Sequence, residues 1–152
     1  MSISGNNINY RQKSSIVNII NDKGKKMTQE ELNITLDNHL RWLKGLGGRR
    51  ADLRGVNLRL ADLRGANLSS ADLRGSNLCC ADLRAANLLL ADLSRANLRG
   101  SDLRGVNLYE ANLSRADLRG SDLRGSVLTW ADTTGANLRG ADLRGADGGA
   151  YV

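Results

Sequence analysis

The chain has 152 residues, 17 of them glycine, with no proline, no phenylalanine and 3% aromatic residues, yet 41% of it is hydrophobic. That length holds one ordinary domain at most. An apolar content made mainly of Leu and Ala points to one small cross-section repeated, because irregular cores need varied shapes to fill them. Lys and Arg number 22 against 16 Asp and Glu, a formal +6. No apolar run approaches the ~20 residues of a membrane span, and Met1 to Tyr10 has no basic start followed by an apolar stretch, which reads against a secretory signal. The two cysteines, Cys79 and Cys80, are adjacent, a spacing that makes neither a disulfide framework nor a closed zinc site. The expected setting is cytoplasmic.

In chain order, residues 1–26 are polar and basic except for Ile16-Val17-Asn18-Ile19-Ile20. They read either as a flexible leader or as a segment whose short apolar run pairs on an edge of the following domain. Residues 27–48 read as an amphipathic helix with its ends marked. Thr28 and Glu31 form a capping-box pattern, and Leu32, Leu36, Leu40 and Leu43 fall on one helical face. Gly45, Gly47 and Gly48 stop it. The helix is expected over about Gln29 to Lys44. His39, the single histidine, is expected on its surface or half-buried, with no nucleophile or carboxylate placed beside it for catalysis.

Residues 49–152 form the last segment, and from Ala51 to about Asp147 it repeats every five residues: ADLRG VNLRL ADLRG ANLSS and onward. With the central residue of each pentad called i, eighteen of the nineteen centres from 53 to 143 are Leu, the exception being Thr133. Position i−2 is Ala, Ser or Val, and i−1 is Asp or Asn in every pentad except at Val127. A period of five matches neither a helix nor a plain strand, and a coiled-coil seam would drift. Within a pentad, i−2 and i are apolar around a polar i−1, which gives a three-residue extended segment followed by a corner. Glycine at i+2, as at Gly55 and Gly75, suits such a corner. Thr133 is expected to leave a void or bend one coil.

These tandem A(D/N)LXX pentads resemble the pentapeptide repeat family. The resemblance implies an all-β solenoid, a right-handed quadrilateral β-helix with four pentads per coil and just under five coils. The preceding helix then caps the open first coil, where strand edges would otherwise face water.

With four pentads per coil, residues twenty apart stack. One face carries an acid column, Asp62, Asp82, Asp102, Asp122 and Asp142, beside a base column, Arg64, Arg84, Arg104, Arg124 and Arg144. The expectation is a salt-bridged wall that blunts self-association. The next column, Asn57, Asn77, Asn97, Asp117 and Asn137, is expected to form amide ladders. A fourth face departs from the pattern with Leu89, Leu90, Tyr109 and Trp130 directed outward. Apolar and aromatic residues clustered on a solvent wall suit either a contact surface or a seat for the N-terminal segment folded back over it, and this wall is the candidate interaction site. The C-terminal end has no second helix, so an end-to-end homodimer is expected there.

The charge separates along the chain. Residues 51–152 hold 13 Arg against 12 Asp and Glu, a net of +1, and residues 1–50 carry the other +5. Well-understood members of the family imitate DNA with acidic rods and occupy type II topoisomerases such as gyrase. A nearly neutral repeat argues against that role, and no aromatic-and-basic stripe or reading motif supports direct nucleic-acid binding. The residues offer no site for catalysis, metal or cofactor. The expected function is a non-enzymatic protein interaction or scaffold module with an unknown protein partner.

Overall fold

In the computed structural model, residues 19–20 and 26–148 are described. Strand β1 (Ile19–Ile20) pairs antiparallel with β2 (Lys26–Met27), Ile19 opposite Met27. The described part of the apolar run therefore pairs with β2 rather than with a coil edge. The rest of the leader, and residues 149–152 at the far end, lie outside the described residues.

Helix α1 (Gln29–Leu43) starts where its capping signal predicts. Glu31 N–H donates to Thr28 Oγ1 at 3.1 Å, and Thr28 N–H donates to the Glu31 carboxylate at 2.7 Å. No helix among the described residues is long and apolar enough to cross a membrane.

Sixteen parallel bridges join i−1 residues twenty apart, from Asp52–Asp72 to Val127–Asp147, so four pentads make each coil. We number the faces by their first centres: face one at Leu53, face two at Leu58, face three at Leu63 and face four at Leu68. Each strand is too short for more than one bridge. Its ladder runs through Leu53 N–H to Asp72 O at 2.8 Å and Asp72 N–H to Ala51 O at 3.0 Å, and repeats coil after coil. Four coils are complete, and a fifth runs from Ala131 to the last described residue.

The corners follow one rule. The N–H of the residue three beyond each Leu returns to that Leu's carbonyl, as in Ala61 to Leu58 at 3.0 Å. The residue at i+2 takes positive φ at every corner from 55 to 145, the signature of a type II turn. Glycine at Gly75 supplies that conformation and not space, since a Cβ there would meet nothing within 4 Å. Nine corners nonetheless carry a side chain, among them Leu60, Leu90, Arg95, Arg115 and Trp130.

The Leu at i and the small residue at i−2 fill the core. Leu53 through Leu123 are at most 1% exposed at every centre. Truncating one such Leu to Ala typically costs about 2–5 kcal/mol. Position i−1 has a second job beyond facing solvent: its Oδ1 accepts the N–H of i+1, as in Asn57 from Arg59 at 3.1 Å. This Asx turn explains why Asp and Asn are interchangeable there. The bridge pattern continues through the pentad of Thr133. Asp132 still bridges Asn112, and Leu113 N–H reaches Asp132 O at 2.7 Å. The backbone ladder holds the register, and Thr133 sits half-buried in the last coil, where less packing depends on it.

Candidate interaction surface

Helix α1 lies against the first coil. Leu32 and Leu36 are buried in the same core as the coil leucines, whereas Leu40 and Leu43 are only half-buried. His39 corrects the expectation of a surface or half-buried position, being 0% exposed. The first coil has no coil before it, so backbone groups on that edge need other partners. Neutral imidazole offers a donor on one side and an acceptor on the other. Its Nε2–H donates to Ser69 O at 2.9 Å, and Nδ1 accepts from Ala51 N–H at 3.0 Å. Arg50 Nε donates to Ser70 O. Trp42 stacks on the His39 ring at 5.6 Å. Burial pushes the imidazole pKa down, the bond to Ser69 opposes that, and the charge of Arg50 adds to the lowering.

Face three carries the expected charged columns as a continuous zipper. Each Arg forks onto the Asp two residues before it and reaches the Asp of the next coil. Arg84, for example, lies 2.6 Å from Asp82 and 3.6 Å from Asp102. Arg104 in turn contacts Asp102 at 2.6 Å and Asp122 at 3.6 Å. The pattern begins at Asp62 and Arg64 and runs through Arg124 to Asp142 and Arg144. The Arg hydrogen bonds, more than charge alone, hold Asp62, Asp102 and Asp122 below the usual carboxylate range and Asp142 at about 2. Exposed pairs of this kind contribute little stability each. Their larger effect is to cancel the field of that face.

On face two, Asn97 Nδ2 donates to Asn77 Oδ1 at 3.1 Å, and Asn77 Nδ2 to Asn57 Oδ1 at 3.2 Å. The ladder ends at Asp117, whose carboxylate Arg119 takes at 2.6 Å.

Face four carries the apolar wall. Leu89 and Tyr109 stand one coil apart in the i+1 column, both half-buried. Leu90 and Trp130 stand two coils apart at the corner, 50% and 75% exposed. Glu110 lies between them in sequence register. The neighbouring Glu110 side chain raises the Tyr109 phenol's pKa. This corner column reads Ser70, Leu90, Glu110, Trp130, all at positive φ and none of them glycine, whereas every other corner column contains glycine. Left-handed backbone costs a non-glycine residue about 1–2 kcal/mol, so the side chains of this edge are kept at a backbone cost. Such strain is a pointer to function. Exposed Leu60, at the opposite corner, escaped the sequence reading. Its outward direction follows only once the corner is known to turn the i+2 side chain away from the core.

Among the described residues, no group of three or more His, Cys, Asp or Glu side chains is arranged to hold a metal ion. Cys79 and Cys80 are free thiols.

A profile described as pentapeptide repeats matches in eight copies over residues 49–79, 78–115 and 111–147. Among solved structures, a pentapeptide repeat protein from the Arabidopsis thaliana thylakoid lumen is 29% identical with a TM-score of 0.51, the match covering 65% of this chain and 66% of that one. A pentapeptide repeat protein, Rfr23, from the cyanobacterium Cyanothece 51142 is 31% identical over 73% of this chain and 92% of its own, with a TM-score of 0.34. QnrB1, a plasmid-mediated fluoroquinolone resistance protein, is 23% identical over 59% and 56% of the two chains, with a TM-score of 0.42. No curated protein sequence matches.

Proposed function

Because the chain belongs to the pentapeptide repeat family, we propose that it works as a non-enzymatic interaction or scaffold module that docks a protein partner on face four, along Leu89, Leu90, Tyr109 and Trp130. The observation that carries this reading is the glycine-free corner: Leu90 and Trp130 are held out to solvent on left-handed backbone. Aromatic and aliphatic anchors of this kind bind partners when a rim of polar groups surrounds them. Glu110 and the Asn column at Asn87 and Asn107 supply such a rim.

In this reading the winding is right-handed, as the family resemblance implies, and α1 serves as the cap of the first coil. The setting is cytoplasmic, where Cys79 and Cys80 stay reduced. The buried His39, with both ring nitrogens on backbone partners, has no free nitrogen to serve as a base. DNA mimicry is disfavoured, because the acids of face three are each forked by an Arg instead of presenting bare negative charge. The last coil is the second contact surface. Leu138 and Leu143 are only half-buried there, and the N–H groups of Leu138, Gly140, Leu143 and Gly145 find no acceptor among the described residues. A second copy meeting this end about a two-fold axis would cover both.

The test is affinity capture from the native host with the wild-type chain and with a Leu90→Ser, Tyr109→Ser, Trp130→Asp variant. Loss of the captured partner is expected, and an unchanged partner set would rule the wall out.

A further inference from the structure

Face one breaks the repeat in a way the other faces do not. Its i+1 column runs Arg54, Arg74, Ser94, Ser114, Thr134, and its corner column runs Gly55, Gly75, Arg95, Arg115, Gly135. In the third and fourth coils, then, arginine leaves the i+1 site, serine replaces it, and arginine reappears one position later on left-handed backbone, at φ 58 and 57. A groove of about 850 Å³ lies there, lined by Arg74, Arg95, Arg115, Ser94 and Ser114, with Asp132 also in its lining.

The charges in this groove are unequal. Arg54 and Arg74 are committed to Asp52, Asp72 and Asp92 in a short version of the face-three zipper. Arg95 and Arg115 have no carboxylate within ion-pairing distance among the described residues, and the Ser94 and Ser114 hydroxyls have no hydrogen-bond partner there. The acid column beside them is interrupted at this level: it reads Asp52, Asp72, Asp92, Asn112, Asp132, and the one neutral member stands in the coil of Ser114 and Arg115. Asp132, one coil further on, accepts the Thr134 N–H at 2.9 Å. The arginines are in register. Arg95 N–H donates to Ser114 O at 2.9 Å, and Arg115 N–H to Thr134 O at 2.9 Å, which sets their backbones about 4.8 Å apart.

Two guanidinium groups one coil apart with no carboxylate partner among the described residues, and two unpartnered hydroxyls lining the same groove, suit a tetrahedral oxyanion. We propose that the groove between the third and fourth coils is a binding site for a phosphate monoester or free phosphate, held by Arg95 and Arg115 with the Ser94 and Ser114 hydroxyls as further donors. The site lies on a different face from the apolar wall, so it stands or falls independently of the docking surface.

The experiment is a titration of the full chain with inorganic phosphate, followed by amide chemical shifts. Saturable shifts confined to residues 94–95 and 114–115 are expected, weakened at least about tenfold in an Arg95→Gly, Arg115→Gly variant. Glycine suits the left-handed corners, so that variant should melt no lower than wild type, which separates lost binding from lost fold. An Arg139→Ser variant, which removes an arginine from face two, should bind as wild type does. Shifts that never saturate, that persist in the double-glycine variant, or that fall equally in Arg139→Ser would overturn the site. Competition then assigns the source. Displacement of phosphate by a phosphoserine peptide, and not by its unphosphorylated form, means a phosphorylated protein side chain. Saturable phosphate binding that the phosphopeptide cannot displace means a small soluble phosphate.

Discussion

At the scale of single residues, the i−2 site shows how closely the core is fitted. Ala, Val and Ser all occur there, and the serines divide into two kinds. Ser101 and Ser121 donate their hydroxyls to the carbonyls of Leu98 and Leu118 at 2.7 Å. Ser76 and Ser126 are equally buried, yet their hydroxyl oxygens have no partner. A buried hydroxyl without a hydrogen bond costs on the order of 1 kcal/mol or more. Ser76→Ala and Ser126→Ala should therefore each stabilise the chain by about 1 kcal/mol, read as a rise in denaturation midpoint, while Ser101→Ala should give no gain. Equal effects at all three sites would show that the hydroxyl partner does not matter. The central Leu and the small i−2 residue were legible in the sequence because a five-residue period exposes them directly. The Asx turn at i−1 was not. Asp and Asn were read as outward-facing polar residues, and only the corner's backbone geometry shows that Oδ1 is turned back to the i+1 N–H.

At the scale of elements, helix α1 and the first coil meet through one titratable group. The unfolded imidazole has its ordinary pKa near 6.5 and the folded one lies lower, so between those values the unfolded chain binds more protons. Stability then rises with pH through that window: the contribution is intact above 6.5 and is lost on acidification. The face-three carboxylates that are held down lose their charge only below the usual carboxylate range, so their acid limb comes later. Wild type should lose thermal stability between pH 7.5 and pH 5, and His39→Gln should be less stable at pH 7.5 by roughly 2 kcal/mol with little further loss at pH 5. The same acid slope in His39→Gln would contradict the assignment. The helix and its start were legible from Thr28, Glu31 and the leucine spacing. The burial of His39 was not, because the groups it satisfies, Ala51 N–H and Ser69 O, become neighbours only when the first coil closes.

At the scale of the whole molecule, the formal charge of +6 separates twice. Most of it belongs to the first fifty residues. Within the repeat, face three is self-neutralised, whereas Arg95 and Arg115 project unpaired along face one. Column reading at twenty-residue spacing found the zipper and the apolar wall, since both lie in columns that the resemblance supplied. The corner column of face one holds its signal in the same periodicity, but its meaning depends on knowing that i+2 points outward from left-handed backbone. The rod is also unlike at its two ends, with α1 against the first coil and the last coil open among the described residues. Light scattering at micromolar concentration should give a dimer mass that falls to the monomer in Leu143→Arg, and a monomeric wild type would remove the end-to-end contact.

In the proposed function the faces of one regular rod have separate tasks, the partner docking on face four and face three serving as architecture. The most direct measurement is the affinity of the captured partner for three chains side by side: wild type, the Leu90→Ser, Tyr109→Ser, Trp130→Asp variant, and an Arg84→Gln, Arg104→Gln variant of the zipper. Docking on face four predicts a loss of at least about tenfold for the wall variant and near wild-type binding for the zipper variant. Retained binding by the wall variant, with loss in the zipper variant, would contradict it.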